Sequence, residues 1–498
     1  MPVQKQLKIL FITSEVVPFV KTGGLADVSA ALPLKLAEMG HQVRVIVPKY
    51  GAIDERVNKI HEVVRLKDIR TKIGDKEFTF SMRSSFLIGS HSRVQIYLVD
   101  QQEYFGSRHE LYSHPITGED FKDNDERFVL LTKSIFEIIP RLGWVPDLIH
   151  CNDWQCGLVP AYLKMYQEKD PIYNPIKSIF TIHNITNQGI FPKSSFNKTG
   201  LPAKLNSEKG VLHNGKVNFV KAAIEFADFI TTVSPTHSKE LCTSDEFAYG
   251  LLSALKKRKK VVHGIINGID YSAWNPGKDK LIDVNYSLKT IEAKAENKKI
   301  LAEKFGLEFN NATPLIGMIS RIDDTKGFDL IQKVFKDLMK LNINLVLLGM
   351  GNRKYHRFFE EMSIKFREKF SCYLGFDDEL AHKIEAGADI LLIPSKYEPC
   401  GLNQMYSQVY GTIPIVRETG GLADTVKRFN EKSGTGNGFS FSEYKTTALL
   451  KELKRAINIY KKEPKTWLKI ISSGMTSDFS WQSSAKKYIE LYRKVISG

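Results

Sequence analysis

The sequence predicts an α/β protein made of two domains of similar size, each with a parallel sheet covered by helices on both faces. Three observations point there. Apolar, β-branched runs alternate with amphipathic helical stretches along the chain, and the runs are near-continuous Val, Ile and Leu. The alternation pauses once, between Asn267 and Thr313. Near-continuous apolar strands mark sheets covered by helices on both faces. A chain of 498 residues also exceeds what a single core usually holds.

In the first half, strands are expected over 7–13, 43–47, 94–99, 147–151, 179–183 and 229–233, with a helix over 25–39. In the second half they are expected over 315–320, 345–348, 390–394 and 413–416. The pause holds Asn-Gly-Ile-Asp at 267–270, Asn-Pro-Gly at 275–277 and a charged stretch over 292–304. It predicts a boundary near Gly264, with domains over 1–263 and 264–477. Ligands of open α/β sheets sit beyond the carboxyl ends of the strands. Two such domains facing each other would make a deep cleft.

Composition narrows the function classes. Hydrophobic residues make up 42% and charged residues 26%, close to a soluble globular average. No apolar run approaches the roughly 20 residues that cross a bilayer, and the run 7–12 is too short for a signal segment. A cytoplasmic protein with no membrane partner is the expectation. The five cysteines include one close pair, Cys151 and Cys156, with no second pair to complete a zinc site, so reduced thiols are expected. The net charge of +15 fits nucleic acid, a membrane surface or an anionic small substrate. Its densest cluster, Lys256–Lys260, has no nucleic-acid-binding motif beside it and reads as a solvated face.

Four clusters carry chemistry. Lys21-Thr22-Gly23-Gly24 follows the first strand and precedes a helix; two glycines there let the backbone approach a ligand and aim N–H groups at an anion. Alone, this loop is explained slightly better as a tight turn with a surface lysine. The second cluster, Ser320 to Gly327, follows a strand and opens a helix. Its Arg321 and Lys326 could clamp a diphosphate. The third, Pro394 to Gln404, carries the carboxylate of Glu398, with Gly401 and Leu402 expected to start a helix whose N–H groups hold a phosphate. The fourth, Glu418 to Asp424, repeats the loop-to-helix grammar. Together they place several anion-cradling loops and two cations at one sheet edge.

These motifs resemble the bacterial glycogen synthase and plant starch synthase family. KTGGLADV at 21–28, SR…KG at 320–327, PSKYEPCGLNQ at 394–404 and ETGGLADTV at 418–426 carry the likeness. So do TIHN at 181–184, FAYGL at 247–251, NGIDYSAWNP at 267–276 and FSWQSSAKKY at 479–488. The resemblance implies the GT-B architecture, two Rossmann-like, doubly wound domains facing a deep cleft, with the chain after about 478 crossing back to complete the first, acceptor-binding domain. It implies retaining transfer of glucose from ADP-glucose or UDP-glucose, the bacterial-type motifs favouring ADP-glucose, to the 4-hydroxyl at the non-reducing end of an α-1,4-glucan, with no metal and no cofactor.

The resemblance also assigns residues. Lys21, His183, Arg321, Lys326 and Glu398 would be catalytic. The donor would further meet Gly23, Gly24, Asp27, Asn184, Asn267, Phe376, Gly401, Leu402, Tyr406, Thr419 and Gly420. Phe376 stands where the family has an aromatic against the base. Asn403 replaces a usual threonine, and Asn152, Asn187 and His237 depart from the pattern in the first half, where they bear on acceptor preference. The rival readings are a UDP-glucose-dependent enzyme, another GT-B transferase, and a non-catalytic glucan-binding protein on the same fold. Many small-molecule transferases carry a second glutamate eight residues after the first; here that position is Tyr406, which favours the synthase.

Overall fold

The computed structural model describes residues 5–498 and divides them into two compact units. The first holds residues up to Val233 with Ser238–Ile265 and Trp481–Gly498; the second holds Ser234–His237 and Ile266–Ser480.

The first unit is organised by a ten-stranded sheet. Its strands are β1 (Lys8–Ile12), β2 (Gln42–Pro48), β3 (His61–Glu62), β4 (Ile69–Ile73), β5 (Lys76–Ile88), β6 (Arg93–Asp100), β7 (Leu148–Asn152) and β8 (Lys177–Ile182). Three small antiparallel strands, β9 (Ile190–Phe191), β10 (Leu212–His213) and β11 (Lys216–Asn218), form a separate sheet. The chain then returns to the large sheet with β12 (Phe229–Thr232) and β13 (Val262–Gly264). The order is β13-β12-β8-β7-β1-β2-β6-β5-β3, with β4 on β5. From β13 to β6 every neighbour is parallel. Beyond β6 the expectation of parallel sheets fails, because β3, β4 and β5 pair antiparallel. The local sequence explains this. The segment over 69–80 alternates apolar and polar residues, β4 buries every second side chain, and Gly74 turns the hairpin at φ 59°.

Chain order reverses between β1 and β7, neighbours in register through Ile12 and Cys151. On one side the chain runs to β2 and β6, on the other to β8, β12 and β13. This is the switch point where doubly wound sheets open a crevice for ligands. The loops that begin at Thr13 and Asp153 leave from it. The helix Trp481–Ser497 belongs to this unit, and its Tyr492 hydroxyl hydrogen-bonds His150 Nδ1 on β7 at 2.7 Å.

The second unit has six parallel strands: β14 (Leu315–Ile319), β15 (Asn344–Leu348), β16 (Phe370–Tyr373), β17 (Ile390–Ile393), β18 (Ile413–Arg417) and β19 (Phe439–Phe441). Their order is β16-β15-β14-β17-β18-β19, all parallel. The switch point lies between β14 and β17. One core face is filled by the helix Phe328–Met339, which buries Phe328, Ile331, Phe335 and Leu338 at helical spacing against Leu345, Leu347 and Ile390. The loops after Ile319 and Ile393 therefore leave the sheet side by side, and they are the second and third motif clusters. Among the described residues, no helix is long and apolar enough to cross a membrane.

Candidate active site

In the first unit the loop after β1 is organised by a residue the sequence did not single out. Glu15 is 4% exposed. Its Oε2 accepts the N–H groups of Thr22 (2.6 Å) and Gly23 (3.1 Å), and its Oε1 accepts the hydroxyls of Thr22 (2.6 Å) and Tyr112 (2.7 Å). The N–H groups of Thr22 and Gly23 are thereby satisfied inside the protein and are not the ones this loop could aim at an anion. Lys21 is exposed and pairs with Asp27 at 2.9 Å. A Cβ added to Gly23 or Gly24 would meet nothing within 4 Å, so no protein neighbour demands glycine there. The helix begins at Gly24.

At the ends of β7 and β8, three polar side chains interlock. Asn152 Nδ2 donates to the Ile12 carbonyl at 3.0 Å, which leaves its Oδ1 to meet His183 Nε2 at 2.9 Å. His183 therefore carries its proton on Nε2 and presents a lone pair on Nδ1. Burial pushes its pKa down to about 3, so the ring is neutral at neutral pH. Asp153 Oδ1 accepts the His183 N–H at 2.8 Å and the Asn184 N–H at 3.4 Å. Burial pushes its carboxyl up to about 7 against those two donors. Its backbone, at φ 55° and ψ 179°, lies in a region almost reserved for glycine, at a cost of about 1–3 kcal/mol. Motif spacing gave no sign of Asp153, although it holds the backbone of two predicted site residues.

In the second unit, Lys326 and Glu398 meet. Lys326 Nζ lies 2.6 Å from Glu398 Oε2, with side-chain exposures of 21% and 12%. Ser395 Oγ donates to the same oxygen at 3.0 Å. Arg321 is turned to a different carboxylate, Asp323, at 2.5 Å, and stays 65% exposed. Burial disfavours the Asp323 carboxylate, but hydrogen bonds from Thr325, Arg321 and the Lys326 N–H outweigh it and hold its pKa below the usual value. Gly327, at φ 83°, lies so close to Pro394 that a Cβ would sit 2.2 Å from its carbonyl oxygen. That approach brings the Lys326 loop onto the Glu398 loop.

The third and fourth clusters form one body. A Cβ on Gly420 would sit 1.9 Å from the Glu398 carbonyl oxygen, and one on Gly421 2.0 Å from that of Cys400. Thr419 is buried just before them. Gln404 Nε2 ties the carbonyls of Cys400 and Gly401 to Thr425 Oγ1. The expected helix start is corrected by two residues. Gly401, at φ 70°, and Leu402 precede a seven-residue helix that begins at Asn403. Asn403 Nδ2 donates to the Ile319 carbonyl at 2.7 Å and so braces the end of β14 against this loop. Tyr406 stacks on Trp274 at 3.8 Å, and Trp274 stacks on His382 at 3.7 Å. Asn267 is buried, and its Oδ1 has no hydrogen-bond partner. Phe376 is 85% exposed. Among the described residues, no group of three or more His, Cys, Asp or Glu is arranged to hold a metal ion.

Two parallel-sheet units, each with functional loops at its switch point, define a GT-B glycosyltransferase. Residues 8–257 match the starch synthase catalytic domain family, and residues 299–469 match glycosyl transferases group 1. Glycogen synthases from Desulforudis audaxviator and Thermosipho africanus are each 40% identical, with 98% and 99% of this chain covered and 96% and 99% of theirs. The catalytic domain of starch synthase IV from Arabidopsis thaliana, solved with ADP and acarbose, superposes with a TM-score of 0.87 at 33% identity over 99% of this chain and 100% of that one. Sucrose-phosphate synthase from Thermosynechococcus elongatus, at 17% identity and a TM-score of 0.59 over 99% and 100% of the two chains, shares the fold. The chain belongs to the glycogen synthase and starch synthase family of glycosyltransferases.

Proposed function

We propose that this enzyme transfers glucose from ADP-glucose to the non-reducing-end 4-hydroxyl of an α-1,4-glucan, with retention at the anomeric carbon. The observation that carries the reading is the Lys326–Glu398 pair at the β14/β17 switch point, in a chain of this family. Lys326 and Arg321 supply positive charge to the diphosphate as the glycosidic oxygen leaves with the bond's electron pair. Glu398 holds sugar hydroxyls and offsets positive charge at the anomeric carbon. The leaving phosphate takes the proton of the attacking 4-hydroxyl on the same face. His183, neutral and with Nδ1 unprotonated, accepts a hydroxyl of the transferred sugar, and Lys21 adds a further cation. Phe376 and Tyr406 serve the nucleoside end, with Asn267, Gly401, Leu402, Thr419 and Gly420 lining the donor and Asp27 and Asn184 the sugar side. The domain over 1–263, completed by 478–498, takes the glucan, and that over 264–477 takes the nucleotide; the enzyme works in the cytoplasm.

The test is nucleotide release from ADP-glucose and from UDP-glucose, with and without glycogen. Glycogen-dependent ADP release supports the proposal. UDP release alone reassigns the donor, and glycogen binding without release of either nucleotide makes the protein a non-catalytic glucan binder.

A further inference from the structure

We infer that Glu15 is a positioning residue that sets the Lys21–Gly24 loop by drawing the Thr22 and Gly23 N–H groups onto its own carboxylate. The inference rests on the proposed reading of this loop as part of the donor site. A glycine pair before a helix is ordinarily free to move, because glycine restricts its own backbone least. Here the loop is held from inside. One buried carboxylate collects four hydrogen bonds, two from backbone N–H groups and two from hydroxyls. Tyr112, one of the four donors, stands in the chain before the helix Asn124–Ile138 and also meets Ser14 Oγ at 2.7 Å. The loop is thus anchored at a second, distant point of the unit. Behind it, Thr13 Oγ1 bonds Ser29 on the following helix at 2.8 Å and the Glu15 carbonyl at 2.9 Å.

The consequence is a division of labour. The Thr22 and Gly23 amides hold the loop, while Lys21, exposed beside them, and the open faces of Gly23 and Gly24 are left for the ligand. Glu15 touches neither substrate nor reacting atom in this account and acts through the loop alone.

The two carboxylate oxygens have different partners, and this yields a discriminating variant. In Glu15→Gln the amide oxygen can take the two N–H groups on the Oε2 side. The amide NH2 can donate to Thr22 Oγ1 and Tyr112 Oη, since a hydroxyl also accepts. Tyr112 then donates to Ser14 Oγ. Glu15→Gln keeps the brace and removes the charge; Glu15→Ala removes both.

The experiment measures kcat, the KM for ADP-glucose and the KM for glycogen for Glu15→Gln, Glu15→Ala and Lys21→Ala, with a melting temperature for each. Glu15→Ala should lower kcat by about 10²-fold, the scale of a loop misplaced by an ångström. It should leave the KM for glycogen unchanged and recover in formate, which refills the carboxylate position. Glu15→Gln should stay near wild type. Wild-type kcat in Glu15→Ala while Lys21→Ala is impaired overturns the inference and leaves the reading of the loop intact. A Glu15→Gln defect equal to that of Glu15→Ala overturns it in favour of charge. Loss in Glu15→Ala without formate recovery overturns it in favour of a purely structural role. Wild-type turnover in Lys21→Ala overturns the donor-loop reading itself.

Discussion

Replacing Lys326 by alanine should cost far more turnover than stability. The Lys326–Glu398 contact is short, at 2.6 Å, but both side chains keep some solvent, with exposures of 21% and 12%. Ser395 also remains on the same Glu398 oxygen at 3.0 Å. Breaking a fully buried ion pair on one side costs about 3–5 kcal/mol. With partial exposure and a residual donor, we expect about 1–2 kcal/mol here. That is a modest share of a stability of about 5–15 kcal/mol, so the variant stays folded. Losing a charge-stabilising donor at the transition state lowers turnover by about 10²–10³, or about 2.7–4 kcal/mol. Glu398→Gln keeps the shape and still accepts from Lys326 and Ser395, so it tests the charge of Glu398 alone. If the pair acts as one unit, Lys326→Ala/Glu398→Gln should be no slower than the worse single variant. The assay is glycogen-dependent ADP release under single-turnover conditions, with thermal melts alongside. Near-normal turnover in Lys326→Ala would remove Lys326 from the diphosphate. Rate losses that multiply in the double variant would show that the two residues act independently.

Three further outcomes follow from the geometry. Gly420→Ala should destabilise the protein and displace Glu398, because the new Cβ would sit 1.9 Å from the Glu398 carbonyl oxygen at φ 43°; Gly23→Ala has open space at φ −153° and should melt normally while losing turnover. A melting temperature for Gly23→Ala as low as that of Gly420→Ala would contradict this. On acidification from about pH 6 to 4.5, His150 and His183, held near 3 by burial, stay neutral in the fold but protonate in the unfolded chain, whereas Asp153, pushed up to about 7, keeps a proton that the unfolded chain releases. Two protons against one make stability fall by about 1.4 kcal/mol per pH unit from these groups, and Asp153→Asn should steepen the fall, as denaturant titrations at stepped pH will measure. Activity should persist in excess chelator, since Arg321, Lys326 and Lys21 bring the positive charge to the diphosphate; loss reversed by added magnesium would refute that assignment.

Most of the sheet framework was legible because buried parallel strands are apolar on both faces. The run 315–320 needs no partner to be read as a strand, and it appears as β14 (Leu315–Ile319). The antiparallel hairpin β4–β5 carries a local signal of another kind: Ile, Thr and Ile face inward at 69, 71 and 73, and Gly-Asp follows. Alternation of period two leaves no continuous apolar run, the mark that the buried parallel strands carry. The short strands β16 and β19, four and three residues long, carry too little pattern to stand out and are fixed by their neighbours in the sheet.

The candidate site divides differently. Lys326 and Glu398 could be named from their motifs, but their contact spans 72 residues of sequence and follows only from β14 lying beside β17. Glycines show the limit of motif reading most clearly. A missing Cβ reports that something comes close, without saying what. At 420–421 the close neighbours are the carbonyls of Glu398 and Cys400, so those glycines let the protein approach itself and thereby place a carboxylate. At 23–24 an added Cβ would find nothing of the protein within 4 Å, and the same dipeptide leaves that side open. The sequences around the two pairs, KTGGLADV and ETGGLADTV, are nearly alike. What separates them is the partner: Thr22 and Gly23 are held from beneath by Glu15, whereas Gly420 and Gly421 are packed from above by a neighbouring loop. Only the tertiary structure tells a glycine that admits a neighbouring backbone from one that leaves open space.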